Sequence, residues 1–319
     1  MRWNRWSAVL GGIAWTALAV LAPFDLIALL FLLAPLVVAP LVLELSGLPR
    51  FLSLAQPFAA ALAAASFLVP RGPAAGLVAA PWAGLMGLVA LAAFFRLRRA
   101  FAAGMPDLLE TLGLLPVVVG GGMLVAARGG IDVGGFPPVI ILLTAVHFHF
   151  TMFAAPLLAA RAARTRPLLL AAGALLLVAT PFLAIGFIFS PRLQVAAAFA
   201  VSLAVTAIGL GQLGTVRGRV ARALLLASSG AVVAGMVLAG IYALGEFLRT
   251  GWLSLPEMAR THGILNAFGF VLCGLLARTP GTAKEAASLK SGQFRPPTEA
   301  AGDARKAATL KSWQFYGMS

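Results

Sequence analysis

Long apolar runs with short charged breaks organise this chain. Cutting the 319 residues at every Asp, Glu, Lys and Arg leaves ten uncharged stretches of 17 to 28 residues: 6–24, 26–43, 51–70, 72–95, 111–127, 133–160, 167–191, 193–216, 223–245 and 261–277. Each is about long enough to cross a hydrocarbon layer roughly 30 Å thick as a helix. None shows the period-two alternation of a barrel strand, and Leu, Ala, Val and Gly fill them all. The pattern therefore predicts an all-α, polytopic transmembrane bundle of about ten helices. Arg2 and Arg5 ahead of the first run resemble the start of a signal peptide. With no cleavage site before Asp25, that run is expected to remain as the first helix.

Composition supports the same solvent. The chain is 61% hydrophobic and 11% charged, with a mean hydropathy of +0.97, more apolar surface than a water-soluble fold can hide. Of its 24 Lys and Arg, alternate loops and the C-terminal tail on one side carry 19 and the opposite loops carry 5, which are Arg71, Arg128, Arg192, Arg249 and Arg260. Positive charge stays cytoplasmic, so both termini are predicted inside, in a multi-pass protein of the bacterial inner membrane. The same distribution accounts for the net charge of +14. Its arginines stand in short groups at helix ends, where they meet anionic headgroups, so the expected partner is the lipid bilayer and no nucleic acid. A single cysteine, Cys273, excludes an intrachain disulfide and reads as a buried small hydrophobe.

Residues 1–278 form the predicted transmembrane domain and residues 279–319 a basic cytoplasmic tail whose composition predicts disorder. The tail repeats itself, SLKSGQF at 288–294 and TLKSWQF at 309–315. That echo is either a duplicated docking motif for a cytoplasmic partner or a chance repetition.

The fifth run, TLGLLPVVVGGGMLVAA, places Pro116 and the triplet Gly120, Gly121 and Gly122 at membrane depth. Proline removes a backbone donor and glycines loosen a helix, so the segment reads either as a discontinuous helix or as a close-packing face. Prolines in other runs, Pro35, Pro40, Pro57, Pro81, Pro156 and Pro181, predict kinks elsewhere too.

Candidate chemistry lies in the three histidines. His147 and His149 occur in TAVHFHFTMFAAP, inside the longest uncharged run, ten and twelve residues past Pro137. That is roughly 15 to 18 Å along the helix, near the midplane. At i and i+2 the rings point to nearly opposite faces and cannot chelate one ion from a regular helix. His147 shares its face with Thr144 and Thr151, which makes that stripe the polar one. His149 shares its face with Val146, Phe153 and Pro156 and is expected to be the more structural residue. His262 and Asn266 lie one turn apart near the start of the tenth run, facing the same half of the bilayer. Near Glu110 and Asp107, at the other side, arginines such as Arg50, Arg96, Arg98 and Arg99 are the expected partners.

Three readings remain open. The first is a solute pocket with a proton-responsive histidine; the second is a metal or haem site using His147, His149 and His262; the third is a set of bonds that lock helices together. No resident cofactor is favoured. Phosphate loops, paired zinc cysteines and serine elbows are absent from the sequence.

The segments LTAVHFHF at 143–150, HGILNAFGF at 262–270 and the glycine-rich ARGGIDVGGF at 127–136 resemble the YndJ-like bacterial membrane proteins, most clearly over helices five to ten and faintly before about residue 100. The resemblance implies a transporter of unassigned substrate and marks His147, His149 and His262 as matching positions. Some such proteins carry a soluble domain after the membrane part, whose activity the short tail here is not expected to supply.

Overall fold

The computed structural model describes residues 2–279; the tail with its echo lies outside them. Ten helical segments follow one another: α1 Arg2–Leu21, α2 Leu26–Ser46, α3 Arg50–Ser66, α4 Pro73–Ala103, α5 Met105–Gly129, α6 Pro138–Ala163, α7 Leu169–Phe189, α8 Pro191–Gly211, α9 Arg219–Leu248 and α10 Leu255–Leu276. No strand occurs among the described residues. All but α1 and α3 are long and apolar enough to cross a membrane on their own. Most segments begin or end outside the uncharged run that predicted them. Charged residues at helix ends, among them Arg96, Glu110, Arg161 and Arg219, are helical and reach toward polar surroundings along their stems.

Consecutive helices pack side by side, and α2 runs through the middle. In its most apolar stretch 83% of residues are buried, against 28% to 50% in the other seven spanning segments. A helix that is apolar all round belongs inside, and Leu30 to Leu43 is buried without interruption. Around it lie α1, α3, α6 and α10. The N-terminal run is thus a bundle helix: Trp15 of α1 donates from Nε1 to the Leu29 carbonyl at 2.7 Å and meets Phe268 of α10 edge-on at 5.2 Å.

Three helices contain widened π-turns, at Ala34–Val38 in α2, Phe148–Ala154 in α6, and Ala259–Gly263 and Leu265–Leu272 in α10. Two have a covalent cause. The Ala39 amide bonds five residues back to Ala34 and the Ala155 amide to Phe150, and each stands directly before a proline, Pro40 or Pro156. A proline ring collides with the carbonyl four residues back, and a wider turn relieves the clash. The kink predicted near Pro156 takes this form. In α5 the helix is interrupted at Leu115 and Pro116, between Met105–Leu114 and Val117–Gly129.

Most of the ion pairs gather at one end, the arginine-rich rim. Glu110 of α5, 1% exposed, takes Arg96 at 3.0 Å on Oε1 and has Arg161 Nε at 3.3 Å from Oε2, an ion pair without a formed hydrogen bond. Asp107 is 3.1 Å from Arg164. Arg96 also donates to the Ser46 carbonyl and Arg161 to the Leu45 carbonyl, so the last turn of α2, which ends on a left-handed Gly47, is capped by two cations. Arg5 and Glu44 pair beside it at 2.7 Å. Just past α10, Arg278 bonds Thr215 at 3.1 Å, and burial together with Arg161 pulls its guanidinium down to about 10. At the opposite end Arg128 caps α3 in the same way, donating to the Ser66 and Val69 carbonyls and lying 4.8 Å over the Phe67 ring.

The Glu110 carboxylate is enclosed among the rim arginines, so its neutralisation strands three guanidinium groups around the single carboxylate of Asp107. Because those arginines are partly exposed, Glu110→Gln is expected to cost about 2 to 3 kcal/mol, somewhat under the usual penalty for breaking a buried pair. Thermal unfolding of the detergent-purified protein reads this loss, and an unchanged melting temperature contradicts it.

Candidate functional site

The wide turn of α6 presents its two histidines to different surroundings. His149 is fully buried, stacked on Trp82 of α4 at 5.8 Å and met edge-on by Phe31 of α2 at 5.4 Å. Trp82 Nε1 donates to His149 Nε2 at 3.0 Å, and His149 Nδ1 lies 2.7 Å from the Ala145 carbonyl. A carbonyl only accepts, so the proton sits on Nδ1 and both ring nitrogens are satisfied. His147 is exposed, with Nδ1 donating to the Leu143 carbonyl at 2.7 Å and no partner for Nε2 among the described residues. Both rings thus bond the carbonyl four residues back, just where pairing shifts from i−4 to i−5 and carbonyl capacity is left unused.

The third histidine sits in the wide turn of α10. His262 Nδ1 donates to the Gly235 carbonyl of α9 at 2.8 Å. With its proton committed there, Asn266, 3.2 Å from that nitrogen, gives its amide hydrogen to the His262 carbonyl at 2.7 Å. His262 Nε2, like that of His147, has no partner among the described residues. His149 faces Trp82 of α4 and Phe31 of α2, His147 is exposed, and His262 is tied to α9. The Thr144 hydroxyl donates to the Ile140 carbonyl at 2.9 Å, its hydrogen used within its own helix, and Thr151 is half-buried.

Among the described residues no three of His, Cys, Asp and Glu gather into a group able to hold a metal. A site made from all three histidines requires His149 to give up the bond on whichever ring nitrogen meets the metal, the Trp82 bond in the case of Nε2. The donor set therefore fits structural use of His149 and leaves two imidazole nitrogens for other chemistry.

Sequence reasoning missed the polar residues that serve these turns. Gln56 of α3, 1% exposed, donates to the Pro35 carbonyl in the α2 turn at 2.6 Å and accepts from Ser7 at 2.7 Å. Ser228 of α9 donates to the Phe270 carbonyl in the α10 turn at 2.8 Å and is itself held by Gln212 at 2.7 Å. A lone Gln or Ser in an apolar run is the only sequence signal of either. The glycine triplet does pack closely: a Cβ on Gly120 falls 2.8 Å from His149 Nδ1 and one on Gly121 falls 2.9 Å from Ala83, whereas Gly122 faces open space. Gly263 likewise lets α10 approach Leu30 of α2.

Ten helical segments, eight of them long and apolar enough to cross a membrane, define a multi-pass helical membrane protein. The YndJ-like protein family matches residues 29–270, so the chain belongs to the YndJ-like family, and the match begins well before residue 100, where the recognisable motifs fade. It is 31% identical over 172 residues to the uncharacterized membrane protein YndJ of Bacillus subtilis (strain 168), an alignment covering 51% of this chain and 31% of that protein. No solved structure matches it.

The packing of Gly120 on His149 generates a paired expectation. Gly120→Ala overpacks the ring and is expected to destabilise the protein by about 1 to 3 kcal/mol, whereas Gly122→Ala, facing nothing, is expected to be neutral or slightly stabilising. Thermal melting of the two variants side by side decides it; equal shifts contradict the close contact.

Proposed function

We propose that this protein binds or moves a small polar solute at His147 of α6 and His262 of α10, in the half of the bilayer away from the arginine-rich rim. The observation that carries the reading is that His147 and His262 each fix Nδ1 on a backbone carbonyl and leave Nε2 without a partner among the described residues. Imidazoles pre-oriented in this way can accept a hydrogen bond from a solute, or a proton, on a nitrogen of known direction. Asn266, Thr144 and Thr151 supply further polar atoms on the same two helices. The widened turns favour the reading too, because π-bulges collect at functional positions in helices.

In this reading His147 is the proton-responsive group and the solute enters from the side opposite the rim. A rim that faces the cytoplasm, in a protein of the bacterial inner membrane with both described ends inside, belongs to the same reading and is supported by the excess of arginine there. The engaged nitrogens of His149 favour a structural role for that residue alone.

The test is a solute screen by thermal stabilisation of the detergent-purified protein, run at about pH 5.5 and about pH 7.5 to bracket the ordinary histidine range. The expected result is at least one solute whose stabilisation depends on pH in the wild type, with affinity reduced about tenfold in His147→Ala, the value of one hydrogen bond to a charged or polar group. The His262→Ala variant is expected to lose affinity as well. Undiminished, equally pH-dependent binding in both variants overturns the reading.

A further inference from the structure

A cavity of about 570 Å³ opens at the arginine-rich rim, far along the bundle from the histidines, between the turn joining α2 to α3 and the flank of α4. Pro49 and Phe51 form one wall; Leu88, Leu91 and Phe95 of α4 form the other, and Arg99 stands at its end. On a helix these α4 positions lie three or four apart and make one stripe, apolar for two turns and cationic at its finish. From Leu88 to Arg99 the stripe is about 16 Å long. Its apolar members are open to the surroundings: Leu88 is 45% exposed, Leu91 49% and Phe95 72%.

The two arginines on this groove differ. Arg96 is committed to Glu110 and the Ser46 carbonyl. Arg99 makes no hydrogen bond and no ion pair among the described residues, and no carboxylate lines the groove to neutralise it. The first turn of α3, which opens on Pro49 with no side-chain cap, adds unpaired backbone amides to the same wall. An apolar trough about as long as a lipid tail, closed by a free cation and a helix N-terminus, complements an amphiphile with one anionic end. A free anion has no use for the apolar length, and a packing helix has no use for the free charge.

The geometry points to a binding site for a phospholipid with an anionic headgroup, its acyl chain along Leu88, Leu91 and Phe95 and its phosphate on Arg99. Basic pockets at the helix ends of membrane bundles select anionic headgroups by this chemistry. Because Arg99 is exposed and unpartnered, its removal leaves the fold intact.

Native mass spectrometry of the detergent-purified full chain, with phosphatidylglycerol and phosphatidylcholine of identical acyl chains, tests the assignment. The wild type is expected to retain phosphatidylglycerol over phosphatidylcholine. Arg99→Ala is expected to retain it roughly fivefold less, the worth of one cation near a lipid surface, while Arg98→Ala, beside the groove but not lining it, matches the wild type. Ala92→Phe, which fills the trough, is expected to abolish retention. Equal retention by the Arg98 and Arg99 variants, or no preference between the two lipids, overturns the site. Inorganic phosphate bound by a wild type that retains neither lipid assigns a free-anion site and overturns it equally.

Discussion

A backbone carbonyl inside hydrocarbon has no water to turn to, and this bundle is arranged around that constraint. At several departures from regular helical pairing a polar side chain meets a backbone carbonyl. The α2 turn is met by Gln56, the α10 turn by Ser228, and the α6 turn by the rings of His147 and His149 themselves. Helix ends follow the same logic, with Arg96 and Arg161 on the end of α2 and Arg128 on the end of α3. Since lipid tails are as apolar as leucine, such bonds and close packing, rather than expulsion from water, hold the helices to one another.

The two ends of the molecule use ionisable residues differently. At the rim, charges are paired in a dense group in which three arginines share two carboxylates, leaving an excess of positive charge. Toward the other end the groups are imidazoles and amides, oriented by bonds to carbonyls.

Much of the fold could be read before any coordinates, because in a bilayer an uncharged run of sufficient length has one structural outcome. The ten runs became the ten helical segments, and the errors fell at the ends, where residues such as Arg96 and Glu110 continue a helix that charge-counting stops. What stayed hidden were pairings across long sequence separations. Arg161 reaches Leu45 and Glu110, and Trp82 reaches His149, by contacts no periodicity encodes. The wide turns were half legible: Pro40 and Pro156 announce two of them, while α10 widens with no proline after Pro256 to mark the place. The differing environments of His147 and His149 follow from their opposite helical faces, which the spacing shows. That His149 is tied on both nitrogens does not follow from spacing, since its partner lies on α4.

The enclosure of α2 bears on how the protein is assembled. It leaves the ribosome before two of the helices that wall it in, α6 and α10, which begin only at Pro138 and Leu255. For most of synthesis this helix must stand against lipid on faces that are later covered by protein. Being apolar on every side lets it wait without a partner, so its composition serves the unfinished bundle as much as the finished one. The cations that fasten its end, Arg96 and Arg161, arrive on α4 and α6, and the last of them is made 116 residues after the carbonyl that it caps.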